Sequence, residues 1–316
     1  MRPRWYVATL VLVAACSESA QTPTGPSSAP SFDLGQGPGG SQHHVFLPRG
    51  QARVLAAGSS PLMTYHGGDI IPASKTEAIF WGSAWSTSAG DKITGMDAFF
   101  GGYSGTVYNK AVTEYTGLSD QVTPVSQYIG NYVDAGSNPP RRPQTSQVIA
   151  EACKVTSNDP DPAALYVVYS SGKRGGAQYC AYHTWGSCSG GKPIQAAWVF
   201  NLDGDAGCNP GTPYGTTGSA THSQGLAAIA NVTAHELSET ITDPRGSTWY
   251  DASGAENGDK CAWTFGPASS PLSTFGDGST WKLQGEWSNA AYSNSYSGPS
   301  TVYSNGSGQK GCLAGY

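Results

Sequence analysis

Apolar and polar positions along this chain fall into strand-like runs, helix-like periods and a mixed aromatic tail. Short continuous apolar runs bounded by Gly, Pro or Asp lie at Glu77 to Gly82 (EAIFWG), Ala164 to Ser171 (ALYVVYSS) and Ile194 to Leu202 (IQAAWVFNL). Such runs predict buried strands. GDKITGMDAFFGGY, ending at Tyr103, and TSQVIAEACKV, starting at Thr145, predict helices, the second capped by Thr145 or Ser146. The longest periodic segment is SQGLAAIANVTAHELSETIT, from Ser223 to Thr242. Leu226, Ile229, Ala230, Thr233, Leu237 and Thr240 recur on one side of it. His235 and Glu239 fall one turn apart on the opposite side, together with Ala228 and Val232. That pattern suits the wall of a cleft. Ser223 is the expected cap, and Pro244 ends the helix near Thr242. Beyond Cys261, aromatics alternate with Ser, Gly and Asn, and TWKLQGEWSN predicts a strand and its turn.

The N-terminus belongs to export rather than to the fold. Arg2 and Arg4 precede an apolar run from Trp5 to Ala15, too short for the ~20 residues that span a bilayer. VAAC places Cys16 where a bacterial lipobox lipidates it, so residues 1–16 are expected to be a signal peptide with an outer-membrane lipid anchor; the alternative is a plain signal cut nearby. Residues 17–42, rich in Ser, Pro, Gly and Thr, read as a disordered tether. Residues 43–316 are expected to form a single folded domain, with an aromatic-rich part from about 262. Basic and acidic residues number 17 and 22 and form no basic patch, which argues against a nucleic-acid partner.

Seven cysteines are awkward in an exported chain, and assigning Cys16 to lipid leaves six. Cys153, Cys180, Cys188, Cys208, Cys261 and Cys312 then make three disulfides in an oxidising compartment. Sequence does not choose among the fifteen pairings. Proximity favours Cys180 with Cys188, leaving Cys261 with Cys312 and Cys153 with Cys208 as the expected remainder.

HELSE, from His235 to Glu239, carries the candidate chemistry. In HExxH metallopeptidases the two His bind zinc and the Glu between them activates water. Here Glu239 replaces the second His, and a carboxylate is an ordinary zinc ligand. Glu236 is the expected general base. The third ligand is sought in WYDASGAENGDKCAW, which holds Asp251, Glu256 and Asp259. Glu256 lies 17 residues past Glu239, a spacing that resembles the gluzincin arrangement. Glu256 is therefore the expected ligand and Asp259 its supporting acid, with the two roles open to exchange. Asp243 is disfavoured because Pro244 pushes it out of the helix. His66 in TYHGGDI and His183 in CAYHTWGSC stand in loop-like settings, the latter inside an expected small disulfide loop. Each is either bonded to backbone or part of a substrate cleft.

TYHGGDIIPASKTEAIFWG, ALYVVYSS, YCAYHTWGSC and AWVFNLDGDAGCNPG occur in an order that resembles the EXORDIUM, or phosphate-induced, protein family over roughly residues 62–262. The resemblance implies a secreted, cell-wall-associated protein and supplies no catalytic residues. The acidic HELSETITDP version looks like bacterial relatives that bear HExxE.

These features lead to an exported zinc-dependent hydrolase acting on a peptide or cell-envelope polymer. Two alternatives stand beside it: a non-catalytic glycan-binding module using Trp281, Trp287, Tyr292, Tyr296 and Tyr303, and a structural calcium site. The expected fold is α/β or α+β. A mixed sheet packs on the long metal-site helix in the zincin manner, with AAWVFNL as the sheet-edge strand beside it, in a loop-rich, disulfide-tied chain.

Overall fold

The long apolar runs become the middle of a mixed sheet. The structure is a computed structural model, which describes residues 44–51, 61–266, 272–302 and 310–315, all within one compact unit, Phe32–Tyr316. The expected signal peptide, Cys16, the tether and Tyr303 lie outside the described residues. In chain order the strands are β1 (His44–Phe46), β2 (Thr64–Tyr65), β3 (Ser74–Trp81), β4 (Ser126–Asp134), β5 (Ala164–Lys173), β6 (Ala181–Ser187), β7 (Pro193–Asn201), β8 (Gly215–Thr217), β9 (Ala220–Thr221), β10 (Trp249–Tyr250), β11 (Ser273–Thr274), β12 (Thr280–Trp281), β13 (Glu286–Trp287) and β14 (Cys312–Leu313). The α-helices are α1 (Trp85–Ser88), α2 (Lys92–Tyr103), α3 (Thr145–Val155), α4 (Gln224–Thr242), α5 (Asn257–Lys260) and α6 (Asn289–Tyr292).

The main sheet has the order β1-β6-β7-β5-β3-β4. β4, β3, β5 and β7 run parallel, β6 is antiparallel to β7, and β1 is antiparallel to β6. Parallel strands need cover on both faces, which is why β5 and β7 are apolar without alternation. Side chains alternate along β6. His183 meets Glu236 of α4, whereas the Cβ direction of Gly186 meets Ile149 of α3. Positions 183 and 186 have opposite parity, so α4 and α3 cover opposite faces. α2 lies on the α4 side, so close that a Cβ on Gly95 would be 2.3 Å from Leu226. The strand AAWVFNL is interior, between β6 and β5, and not at the edge as expected; the edges belong to β1 and β4.

α4 starts where Ser223 accepts a hydrogen bond from Leu226 N at 3.1 Å, as its sequence predicts, and Asp91 fixes Ser223 through both backbone N and Oγ. Its expected one-sided cleft face is absent: every residue from Gly225 to Thr242 is buried. Small Ala side chains help make this possible, and some polar atoms find partners. Thr233 Oγ1 lies 2.9 Å from Tyr169 OH, and Asn231 Oδ1 accepts from Gln284 N at 2.8 Å. α3 is capped by Gln144 rather than Thr145 or Ser146, through its exchange with Gln147.

Three disulfides tie the fold and point to an oxidising, exported location: Cys153–Cys188, Cys180–Cys208 and Cys261–Cys312. Only the last matches the expected pairing. Cys180 and Cys188 bracket β6, and an extended seven-residue strand separates its ends by about 20 Å, far beyond disulfide reach. His183 is therefore a strand residue, not a loop residue. No helix among the described residues is long and apolar enough to cross a membrane.

TWKLQGEWSN divides between two small sheets, β11-β12-β8-β9 and β13-β14. Trp281 and Trp287 are buried there as packing residues, which removes them as glycan-stacking faces; Tyr292 and Tyr296 are half-buried.

At the end of β4, Asp134 binds Lys154 Nζ at 2.5 Å, Ser137 Oγ at 2.6 Å and Gly136 N at 3.0 Å. Burial works against its charge, but Lys154, Ser137 and the Gly136 amide hold the carboxyl down at about 2. The folded value lies below the unfolded ~3.9, so this stabilisation is complete above pH ~4 and fades as pH falls toward ~2. Asp134→Asn is expected to cost about 1–2 kcal/mol at pH 6, discounted because Lys154 is half exposed, and much less at pH 2.5. Urea unfolding of both proteins at the two pH values checks this; a cost that does not shrink in acid contradicts it.

Candidate metal centre

α4 and the loop after it converge on β6. At the C-terminus of α4, Asp243 Oδ1 accepts from Ser247 N (2.7 Å) and Thr248 N (2.9 Å), turning the chain back. β10 then pairs with β2. The return segment is locked by a buried ion pair, Lys260 Nζ to Asp251 Oδ2 at 2.5 Å, while Asp251 Oδ1 accepts from Ser253 N and Ala255 N. Cys261–Cys312 holds the far end. Glu256 and α5 are thereby pressed against α4, and Asp259 N donates to Glu239 Oε1 at 2.9 Å.

Among the described residues, two groups of metal-ligating side chains result: His183, Glu239 and Glu256, and His235, Glu239 and Asp259. Within each, the ligand atoms lie no more than 4.8 Å apart. Glu239 belongs to both. His235 and Glu256, expected to share an ion, fall into different groups, and His183 takes the place beside Glu256. In contact terms, His183 Nδ1 is 3.2 Å from Glu236 Oε2 and 3.5 Å from Glu239 Oε2, and its Nε2 is 3.6 Å from Glu256 Oε2. His235 Nε2 is 3.1 Å from Glu239 Oε1. Asp259 Oδ2 accepts from Glu256 N at 3.4 Å, so this acid supports Glu256 through its backbone.

The centre is closed. His183, His235, Glu236, Glu239, Asp243 and Glu256 are all 0–1 % exposed. Phe46 of β1 stacks on the His235 ring at 4.1 Å, and Trp263 stacks on Phe46. Behind the helix a further buried carboxyl, Glu286, accepts from Tyr108 OH at 2.5 Å.

Charge makes this packing costly. Four fully buried carboxyls face two imidazoles, and an uncompensated buried ion costs several kcal/mol. Burial, then Glu239, Asp243, Asp259 and Glu236, push the Glu256 carboxyl well above its usual range. Burial pushes Glu236 up to about 7 against the pull of His183 and His235. Burial also works against Glu239, but His235 and His183 hold it well below the ordinary value. For His183, burial lowers proton affinity, yet Glu236 and Glu239 raise it to about 10. Glu236 Oε1, Glu239 Oε2 and Asp243 Oδ2 are buried with no hydrogen-bond partner. A bound cation answers both the excess charge and these orphaned oxygens, so the donor set fits a metal ion.

His66 is not part of the centre. It is exposed, stacked on Tyr250 at 3.6 Å, with Nε2 3.3 Å from Tyr250 O. Reading the sequence missed His183 as a donor and Gln284 as its neighbour's partner. The run AYHTWGS mixes apolar and polar residues on both parities and is buried from Ala181 through Thr184, so no alternation in the sequence marks His183 as facing α4. No family model, curated protein or solved structure matches the chain.

The purified full chain is expected to carry one divalent ion per molecule by elemental analysis. Glu256→Gln is expected to weaken its retention more than about 100-fold. A wild-type chain without stoichiometric metal contradicts the assignment.

Proposed function

We propose that this protein is an exported metal-dependent hydrolase built on a zincin-like site, with zinc as the ion and a peptide or cell-envelope polymer as the substrate. The observation that carries the reading is the placement of Glu236. One of its oxygens binds His183, a member of the metal-ligating group, and the other is buried without a hydrogen-bond partner. Glu239 and Glu256 with an imidazole form a three-ligand set suited to zinc. The nitrogen donor speaks against calcium, which takes six to eight oxygens.

When bound, the ion supplies Lewis acidity to the scissile carbonyl and the attacking water. The chain supplies the rest. Glu236 Oε1, buried and unpartnered, would be the base that takes the proton of the attacking water. β1 lays Phe46 over His235 on one side of the site.

The long helix beneath a mixed sheet with an antiparallel strand at the site supports the zincin-like description. The resemblance to the EXORDIUM family rests on the sequence blocks, and lipid attachment on the VAAC motif; both belong to this proposal. A second reading, an exported scaffold or binding protein with a purely structural ion, draws on the complete burial of the ligands.

Glu236→Gln is expected to keep the ion and to slow cleavage of a denatured polypeptide about 10²- to 10⁴-fold. Metal content and peptide release, measured on the same preparations, check this. If wild type and variant are equally inert while chelator lowers the melting temperature of both, the structural reading replaces the hydrolase.

A further inference from the structure

Hydrogen bonds fix the hydrogens of the two imidazoles in opposite senses. Gln284 Oε1 accepts from Trp263 N at 3.3 Å, and its Nε2 donates to Gly258 O at 2.9 Å. A backbone N–H only donates and a carbonyl only accepts, so the amide cannot be turned over. The same Nε2 lies 2.9 Å from His235 Nδ1. Facing a donor, Nδ1 must present its lone pair. The ring hydrogen then sits on Nε2, 3.1 Å from Glu239 Oε1. A nitrogen that carries hydrogen does not ligate a metal. Stripping both hydrogens would create an anion beside buried carboxyls. Turning the ring is blocked as well: Phe46 stacks on it, and Gly258 approaches so closely that a Cβ there would be 2.7 Å from Nδ1.

His183 has the reverse arrangement. Glu236 Oε2, 3.2 Å from Nδ1, accepts a hydrogen there. The lone pair of Nε2 is then left on the side of Glu256 Oε2, 3.6 Å away. A metal-ligating histidine commonly gives its other N–H to a carboxylate in this way.

We propose that Gln284 excludes His235 from the metal and that His183 is the imidazole ligand, oriented by Glu236 as its positioning residue. This rests on the metal-centre reading above. The HELSE segment then contributes one ligand, Glu239. His235 keeps its hydrogen on the Nε2 that lies 3.1 Å from Glu239 Oε1, and Glu236 divides its two oxygens between His183 and the substrate water.

The test is nitrogen-15 NMR of the full chain, histidine-labelled and loaded with cadmium-113. One histidine nitrogen, Nε2 of His183, is expected to show direct coupling to cadmium, and His235 to keep its hydrogen on Nε2. His235→Gln is expected to lose less than about 10-fold in cadmium affinity. Gln284→Glu replaces the donor with an acceptor; it is expected to move the His235 hydrogen to Nδ1 and add a second coupling. Coupling to His235 in the wild-type protein overturns the proposal while leaving the metal centre standing. Failure to bind cadmium at all overturns the metal reading and the proposal with it. Should His235→Gln or Gln284→Glu not fold, assigning the wild-type coupling through the ring protons still decides.

Discussion

The repulsion among carboxyls packed around Glu239 is the constraint to which the rest of the molecule answers. Two like charges ~4 Å apart at an effective dielectric of ~20 repel by about 4 kcal/mol. Glu236, Glu239, Asp243 and Glu256 share one buried region with two imidazoles. Without a cation the region holds together only by keeping protons on carboxyls that would give them up in water, as the raised Glu256 and Glu236 show. A divalent ion removes that demand. A bound ion would therefore be coupled to folding, with its affinity contributing directly to stability.

The scaffold is built to hold acids where they repel. α4 is gripped at its start by Ser223 and Asp91, and it is covered by the sheet and the small C-terminal sheets along its whole length. The return segment that brings Glu256 has little regular structure. It relies instead on the Asp251–Lys260 pair, on Lys260 lying 4.4 Å over the Trp287 ring, and on Cys261–Cys312. Breaking such a buried pair typically costs 3–5 kcal/mol. Here the cost would fall on the position of a ligand as well as on stability. Gly258 belongs to the same design: only a residue without Cβ lets this segment lie against the His235 ring.

Much of this was legible in the sequence, because the signals were local. The apolar runs of β3, β5 and β7, the period and cap of α4, and the HELSE spacing all depend on neighbours within a few residues. What escaped depended on tertiary contacts. Full burial of α4 reflects cover by distant segments that its own pattern does not encode. His183 was read as a loop residue because the flanking cysteines suggested a short bridge; they pair elsewhere, with Cys153 and Cys208. Gln284 carries no sequence signal, since its meaning comes from three partners, Trp263, Gly258 and His235, that meet only in the fold. Trp281 and Trp287 looked like stacking faces in a run of Ser and Gly, yet the compact C-terminal sheets need them as filling.

Glu239 is the joint between the helix, the strand histidine and the return segment, and the account stands on a cation meeting it there. Anomalous diffraction from crystals grown without added metal, recorded on both sides of the zinc absorption edge, tests this most directly. One edge-dependent peak is predicted, within ligand distance of the Glu239 and Glu256 carboxylates. A well-ordered centre with no such peak, its carboxyls instead sharing hydrogens with one another and with His183, would contradict the account.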